Sequence, residues 1–133
     1  CYDDAEEVIT KRQDGKVQIV LENIYFDLNK WDIKPDAARI LDILIELLNK
    51  YPEMYIEIDA HTDSRATATY NLMLSDRRAK ATLEYLVKNG INRNRLKSKG
   101  YGESQPLIEC GKTRICTEQE HSINRRCEFI ILK

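Results

Sequence analysis

Two stretches of helical periodicity, each preceded by a segment that alternates every second residue, set the strongest constraint on this chain. Val17, Ile19 and Leu21 alternate with polar partners, and Ile24 and Phe26 resume in the opposite phase. That pattern predicts a first strand with a bulge near Glu22 and Asn23. Pro35 suits a first helical position, and Ala37, Ile40, Leu41, Leu44, Leu47 and Leu48 then share one helical face. The helix must stop before Pro52, because the residue ahead of a proline avoids helical angles. Met54, Ile56, Ile58 and Ala60 alternate with Tyr55, Glu57 and Asp59, which predicts a second strand with one face on the core. A second helix is expected from about Tyr70 to Lys88, closed by Asn89 and Gly90, where glycine takes the left-handed terminating conformation. Leu96 to Tyr101 reads as a short strand leading into Gly100-Tyr101-Gly102. A loop to Ser122 and a last strand over Arg126 to Leu132 complete the chain.

The order strand, helix, strand, helix, strand, strand (βαβαββ) predicts an α/β (α+β) fold: a two-layer sandwich with a mixed sheet and helices on one face. Residues 16–133 form one domain in this reading. Residues 1–15, polar and broken by Gly15, read as a linker or flexible arm. With 133 residues the chain can bury roughly two-thirds of its unfolded surface, so a core exists without metal or many disulfides. Its 21 basic and 22 acidic side chains leave a net charge of -1. A nucleic-acid binder would need clustered Lys and Arg to displace counterions, so that class is disfavoured. The apolar runs are too short or too interrupted by charge to span a membrane. No signal peptide is visible and the first residue is not Met, which suggests a processed protein or an excised domain.

The four cysteines stand at positions 1, 110, 116 and 127. Cys110 and Cys116 enclose a short polar loop containing Gly111 and look like a local disulfide, which implies an oxidising compartment. A zinc knuckle is the alternative, but the spacing is wide and no second ligand pair lies nearby. Cys127, in an alternating apolar run, reads as a small buried side chain and not a reactive thiol. Cys1 fits either the lipidated first residue of a mature lipoprotein or a remnant of truncation.

The chemistry-bearing segment runs from His61 to Ala79. His61, Thr62 and Asp63 directly follow the second strand, where ligand sites of open α/β sheets form. On the next helix, Asn71, Ser75 and Arg78 are spaced i, i+4, i+7 and make a polar stripe. Leu72, Ala79, Leu83 and Leu86 make the neighbouring apolar one. Asp63 and Arg78 together suit a zwitterion, the carboxylate accepting from an ammonium and the planar guanidinium gripping a carboxylate. They could equally pair with each other, or Asp63 could cap the loop. His61 and Asp63, with His121, could instead be metal ligands or an acid–base pair. No HExxH motif, paired Cys/His cluster or glycine-rich phosphate loop accompanies them. No metal and no cofactor are therefore expected. Ser64 and Ser75 lack a base and an oxyanion arrangement, so nucleophilic catalysis is disfavoured. Tyr70, Tyr85 and Tyr101 read as packing residues with wet hydroxyls.

IYFDLNKWDIKP, EIDAHTDSRATATYNLMLSDRRA, LKSKGYGESQP and INRRCEF, in that order, resemble the successive signatures of the OmpA-like peptidoglycan-binding domain, from about Val17 to Leu132. The resemblance implies a non-enzymatic domain on the periplasmic face of the bacterial outer membrane. Its partner would be the diaminopimelate residue of the peptidoglycan peptide stem. Carried over by motif, Asp63 would meet an amino group of the ligand and Arg78 its carboxylate. Asp27, Leu28 and Asn29 would add backbone contacts, and Thr62, Asn71 and Arg126 complete the candidate ligand-binding residues, Arg126 as support near the site and Arg125 more exposed. Ala60 and Ala66 stand where many members have glycine. A protein–protein interaction domain of the same fold, without a ligand, is the alternative function.

Overall fold

The computed structural model describes residues 9–22, 24–27, 29–110 and 115–132. Among these residues five strands form one sheet in the order β1-β2-β5-β3-β4. They are β1 (Ile9–Lys11), β2 (Val17–Ile19), β3 (Ile56–His61), β4 (Leu96–Gly102) and β5 (Arg126–Ile131). The sheet is mixed, as the sequence predicts: β3 and β4 run parallel, while β5 is antiparallel to both β2 and β3. Three α-helices among the described residues, α1 (Pro35–Lys50), α2 (Ala68–Lys88) and α3 (Glu118–Asn124), accompany the sheet. Among the described residues, no helix is long and apolar enough to cross a membrane.

The core follows from the two periodicities. Leu41, Leu44 and Leu48 of α1 and Ala79, Leu83 and Leu86 of α2 pack with Ile56 and Ile58 of β3 and Phe129 of β5. These side chains are buried, and at ~25 cal/mol per Å² of apolar surface they dominate the stabilisation of the two layers. Pro35 does stand at the start of α1. Thr67 caps α2, its side chain accepting from the Tyr70 amide at 3.2 Å. Helix α2 thus begins two residues ahead of the predicted start, because the cap lies outside the apolar period.

Three further departures have physical causes. Of the predicted first strand, only Val17–Ile19 pairs in the sheet; Ile24 is still buried, so its apolar side chain serves the core from irregular backbone. Ile9–Lys11, within the stretch read as an arm, pairs with β2 through a hairpin that turns at Gly15, whose φ is +87°. The predicted loop before β5 contains α3, opened by a capping box in which Thr117 and Glu120 satisfy each other's backbone amides.

The Gly100-Tyr101-Gly102 segment brings β4 directly against α2. A side chain at Gly100 would collide with the α2 backbone at Ser75 and Asp76. In its place, the Asp76 carboxylate accepts from the Gly100 amide and the Ser75 hydroxyl oxygen accepts from the Gly102 amide, both at 2.8 Å. The polar stripe of α2 is consequently an inward face: Asn71, Ser75 and Arg78 are buried, whereas Leu72 is 48% exposed and Leu74 takes the buried place.

Candidate functional site

Thr62 and Asp63 continue beyond β3, and the Thr62 amide donates to the Gly102 carbonyl at 2.8 Å. This bond holds the start of the loop against the end of β4. Asn71 fixes its remainder, donating to the carbonyls of Asp63 at 3.1 Å and Ala66 at 3.3 Å and to the Glu103 carboxylate at 3.2 Å. Asn71 therefore shapes the loop with the amide that sequence reasoning assigned to a ligand. The result is a cavity of about 510 Å³ at the carboxyl end of β3, lined by Thr62, Asp63, Asn29, Asn71, Arg78 and Arg126 among others.

Asp63 and Arg78 both face this cavity, and neither is engaged by the other. Asp63 accepts from the Arg65 amide at 3.0 Å and side chain at 2.8 Å, and from Arg125 at 2.9 Å. Burial would raise its pKa, but these donors outweigh it and hold the carboxyl down at about 2. Arg78 donates Nε to the Lys30 carbonyl at 2.9 Å and Nη2 to the Asp27 carbonyl at 3.2 Å, with its guanidinium over the Phe26 ring at 5.0 Å. Desolvation lowers its pKa, yet an arginine remains charged. Among the described residues, Arg78 Nη1 takes no hydrogen-bond partner.

The other expected residues divide. Asn29 lines the cavity with a left-handed backbone (φ +59°) and accepts from the Tyr70 hydroxyl. Asp27 gives its carbonyl to Arg78 while its carboxylate meets Lys34 at 3.0 Å. Leu28 lies outside the described residues. Thr62 Oγ1 is buried with no hydrogen-bond partner among the described residues. Arg126 turns to Glu128 and to the carbonyls of Gln105 and Asn124, so it supports the rim. Arg125 is the more exposed of the pair, at 30% of its side chain against 10%, but it is the one that reaches Asp63.

Sequence reasoning missed an ion-pair ring beside the cavity. Arg65 and Arg125 each bridge Asp63 to Glu118 of α3, the two Glu118 contacts being 2.7 and 2.8 Å. The signal that could have found a helix there is the Thr117-x-x-Glu120 spacing of a capping box.

His61 serves the opposite face of the sheet. Its Nε2 lies 2.9 Å from a Glu128 carboxylate oxygen, and its ring stacks on Tyr101 with centroids 5.2 Å apart. Burial lowers its pKa, favouring the neutral imidazole. Among the described residues, no group of His, Cys, Asp and Glu is placed to hold a metal ion. Cys110 and Cys116 form a disulfide, which rules out the zinc knuckle. Cys127 is half-buried, and desolvation pushes its thiol up to about 12, far from a reactive thiolate.

A mixed sheet layered with helices, with a cavity at one strand end walled by a carboxylate and a guanidinium, defines an open-sheet α/β domain. The model of the OmpA family matches residues 25–116, and the chain belongs to that family. A peptidoglycan-associated lipoprotein of Rhizobium meliloti is 42% identical over 89 residues, covering 67% of this chain and 51% of the relative. The chain thus spans about half the length of the curated relatives it matches first. Among solved structures, the peptidoglycan-associated lipoprotein of Burkholderia pseudomallei superposes with a TM-score of 0.71 at 25% identity, covering 82% of this chain and 88% of that one. A MotB-like protein of Desulfovibrio vulgaris gives 0.74 at 27% identity, covering 96% and 83%.

Proposed function

We propose that this domain binds bacterial peptidoglycan non-covalently, gripping the diaminopimelate residue of its peptide stem through Asp63 and Arg78, and so anchors a parent protein to the wall. The observation that carries the reading is the availability of complementary groups in one cavity. A carboxylate has about four acceptor positions, and three protein donors reach Asp63, which leaves room for a ligand ammonium. Arg78 Nη1 can donate to a ligand carboxylate, and Thr62 Oγ1 adds a buried hydroxyl beside them. The similarity to proteins named peptidoglycan-associated lipoprotein supports the wall as the source of that ligand. It also supports the cell envelope, at the periplasmic side of the outer membrane, as the location, and the disulfide agrees with an oxidising compartment. The domain acts as a binding module and not as an enzyme.

Co-sedimentation with purified sacculi tests the reading. The parent domain should pellet with the wall, and Asp63→Asn, which keeps the shape but removes the charge, should bind roughly tenfold or more weakly, the loss of one charge-assisted contact. A folded Asp63→Asn domain that pellets like the parent would overturn it in favour of an interaction domain without this ligand.

A further inference from the structure

Four charged groups close a ring at the mouth of the cavity. Asp63 Oδ2 accepts from both Arg65 Nη2 and Arg125 Nη1, at 2.8 and 2.9 Å. The two Glu118 oxygens accept one each from Arg65 Nη1 and Arg125 Nη2, at 2.7 and 2.8 Å. Glu118 is held at this spot by its neighbours in sequence. The residue before it, Thr117, is locked to Glu120 by the capping box that starts α3, and Cys116, one residue earlier, is tied to Cys110. The side chain of Glu118 is nevertheless 66% exposed, so its place beside two arginines is no requirement of the core.

The charge balance of the ring decides what the cavity can accept. Arg65 and Arg125 are matched by Asp63 and Glu118, so their side chains are not spare cations for an incoming anion. Arg78, which meets backbone carbonyls and no carboxylate among the described residues, is left to attract the ligand's carboxylate. Without Glu118 the same mouth would present two arginines against a single carboxylate, favouring ligands with more negative charge and repelling an ammonium near Asp63.

We infer that Glu118 is a specificity-determining residue of this site, an internal carboxylate that occupies the donors of Arg65 and Arg125 and thereby selects a zwitterion over a purely anionic ligand. The inference rests on the cavity being the zwitterion site proposed above. Glu118 contributes by rejecting the wrong ligand as much as by favouring the right one, which is how discrimination exceeds what contacts to one ligand can supply. Its long-range part should fade with salt, since the group is exposed.

The test uses two small probes with the same seven-carbon dicarboxylate frame. One is meso-diaminopimelate, with its ammonium groups, and the other is pimelate, which has none. Affinities of the parent and of Glu118→Gln for both are read from chemical-shift titrations at low salt, with a thermal melt for each protein. The parent should prefer diaminopimelate, and Glu118→Gln should lower that preference about threefold to tenfold while melting close to the parent. Glu118→Asp should restore part of it. A folded Glu118→Gln protein with the parent's preference overturns this inference and leaves the site reading intact. A parent that binds neither probe in the cavity overturns both.

Discussion

Arg78 offers the sharpest test of how far ligand capture and folding are carried by one side chain. A pocket residue would ordinarily be removable without cost to the fold, but Arg78 is only 8% exposed and ties the segment around Asp27 and Lys30 to α2. Each of its two hydrogen bonds has a charged donor, worth about 1.5–3 kcal/mol. The carbonyls they satisfy belong to Asp27 and Lys30, which lie near the surface where water can replace the guanidinium, so the low end of that range applies. Contact with the Phe26 ring adds about 0.5–1 kcal/mol. Arg78→Ala should therefore destabilise the domain by about 3.5–4 kcal/mol, which lowers Tm by roughly 10–15 °C for a chain of this size. Arg78→Lys should recover part of the loss, since an ammonium can reach one carbonyl but cannot reproduce the planar fork. Sacculus binding should fall at least tenfold in both variants when measured well below their melting temperatures. Paired thermal melts and sedimentation assays read the two effects separately. Variants that melt with the parent would refute the latch, and a folded Arg78→Lys domain with undiminished wall binding would remove Arg78 from the ligand site.

Two further perturbations probe the framework around the site. Gly100→Ala drives a methyl group into the α2 backbone and should cost about 1–3 kcal/mol, visible as a lower denaturation midpoint; an unchanged midpoint would mean that β4 and α2 are not in backbone contact. Asp59 is buried, and desolvation, reinforced by the neighbouring Glu57, pushes its carboxyl up to about 8. Because the folded state holds this proton more tightly than the unfolded one, its contribution is present below about pH 4 and lost as the pH rises through 8. Asp59→Asn should accordingly melt above the parent at pH 8, by on the order of 1–3 kcal/mol of stability, and approach it at pH 4. Equal melting at both values would refute the assignment.

The legible parts of this protein are those governed by local period. The core leucines of α1, the inward alternation of Ile56 and Ile58, and the strand-end position of Asp63 follow from spacing, because each records one element against one core. Helical spacing also separated the two stripes of α2, but it could not say that the polar one would be buried as well, beside Ala79, Leu83 and Leu86. Hydropathy buries Leu83 and Leu86 as expected, while glycines in β4 admit the helix so closely that Ser75 and Asn71 form a second buried seam and Leu72 is turned out. The ring of Asp63, Arg65, Glu118 and Arg125 was hidden for a different reason. Its members are up to 62 residues apart, and α3, which carries Glu118, is too short and polar to show an apolar period.

The position of β5 sets the order in which this sheet can be completed. It lies between β2 and β3 and is antiparallel to both, so the two earlier pairs, β1 with β2 and β3 with β4, share no hydrogen-bonded edge. Ile19 waits for Phe129, and Phe129 also meets Ile58, which makes the final strand the seam of the whole layer. Closing so distant a pairing is entropically slow compared with forming α1 or α2. Until β5 is inserted, no backbone pairing joins β1 and β2 to β3 and β4, and the walls contributed by the two halves meet only with that strand in place.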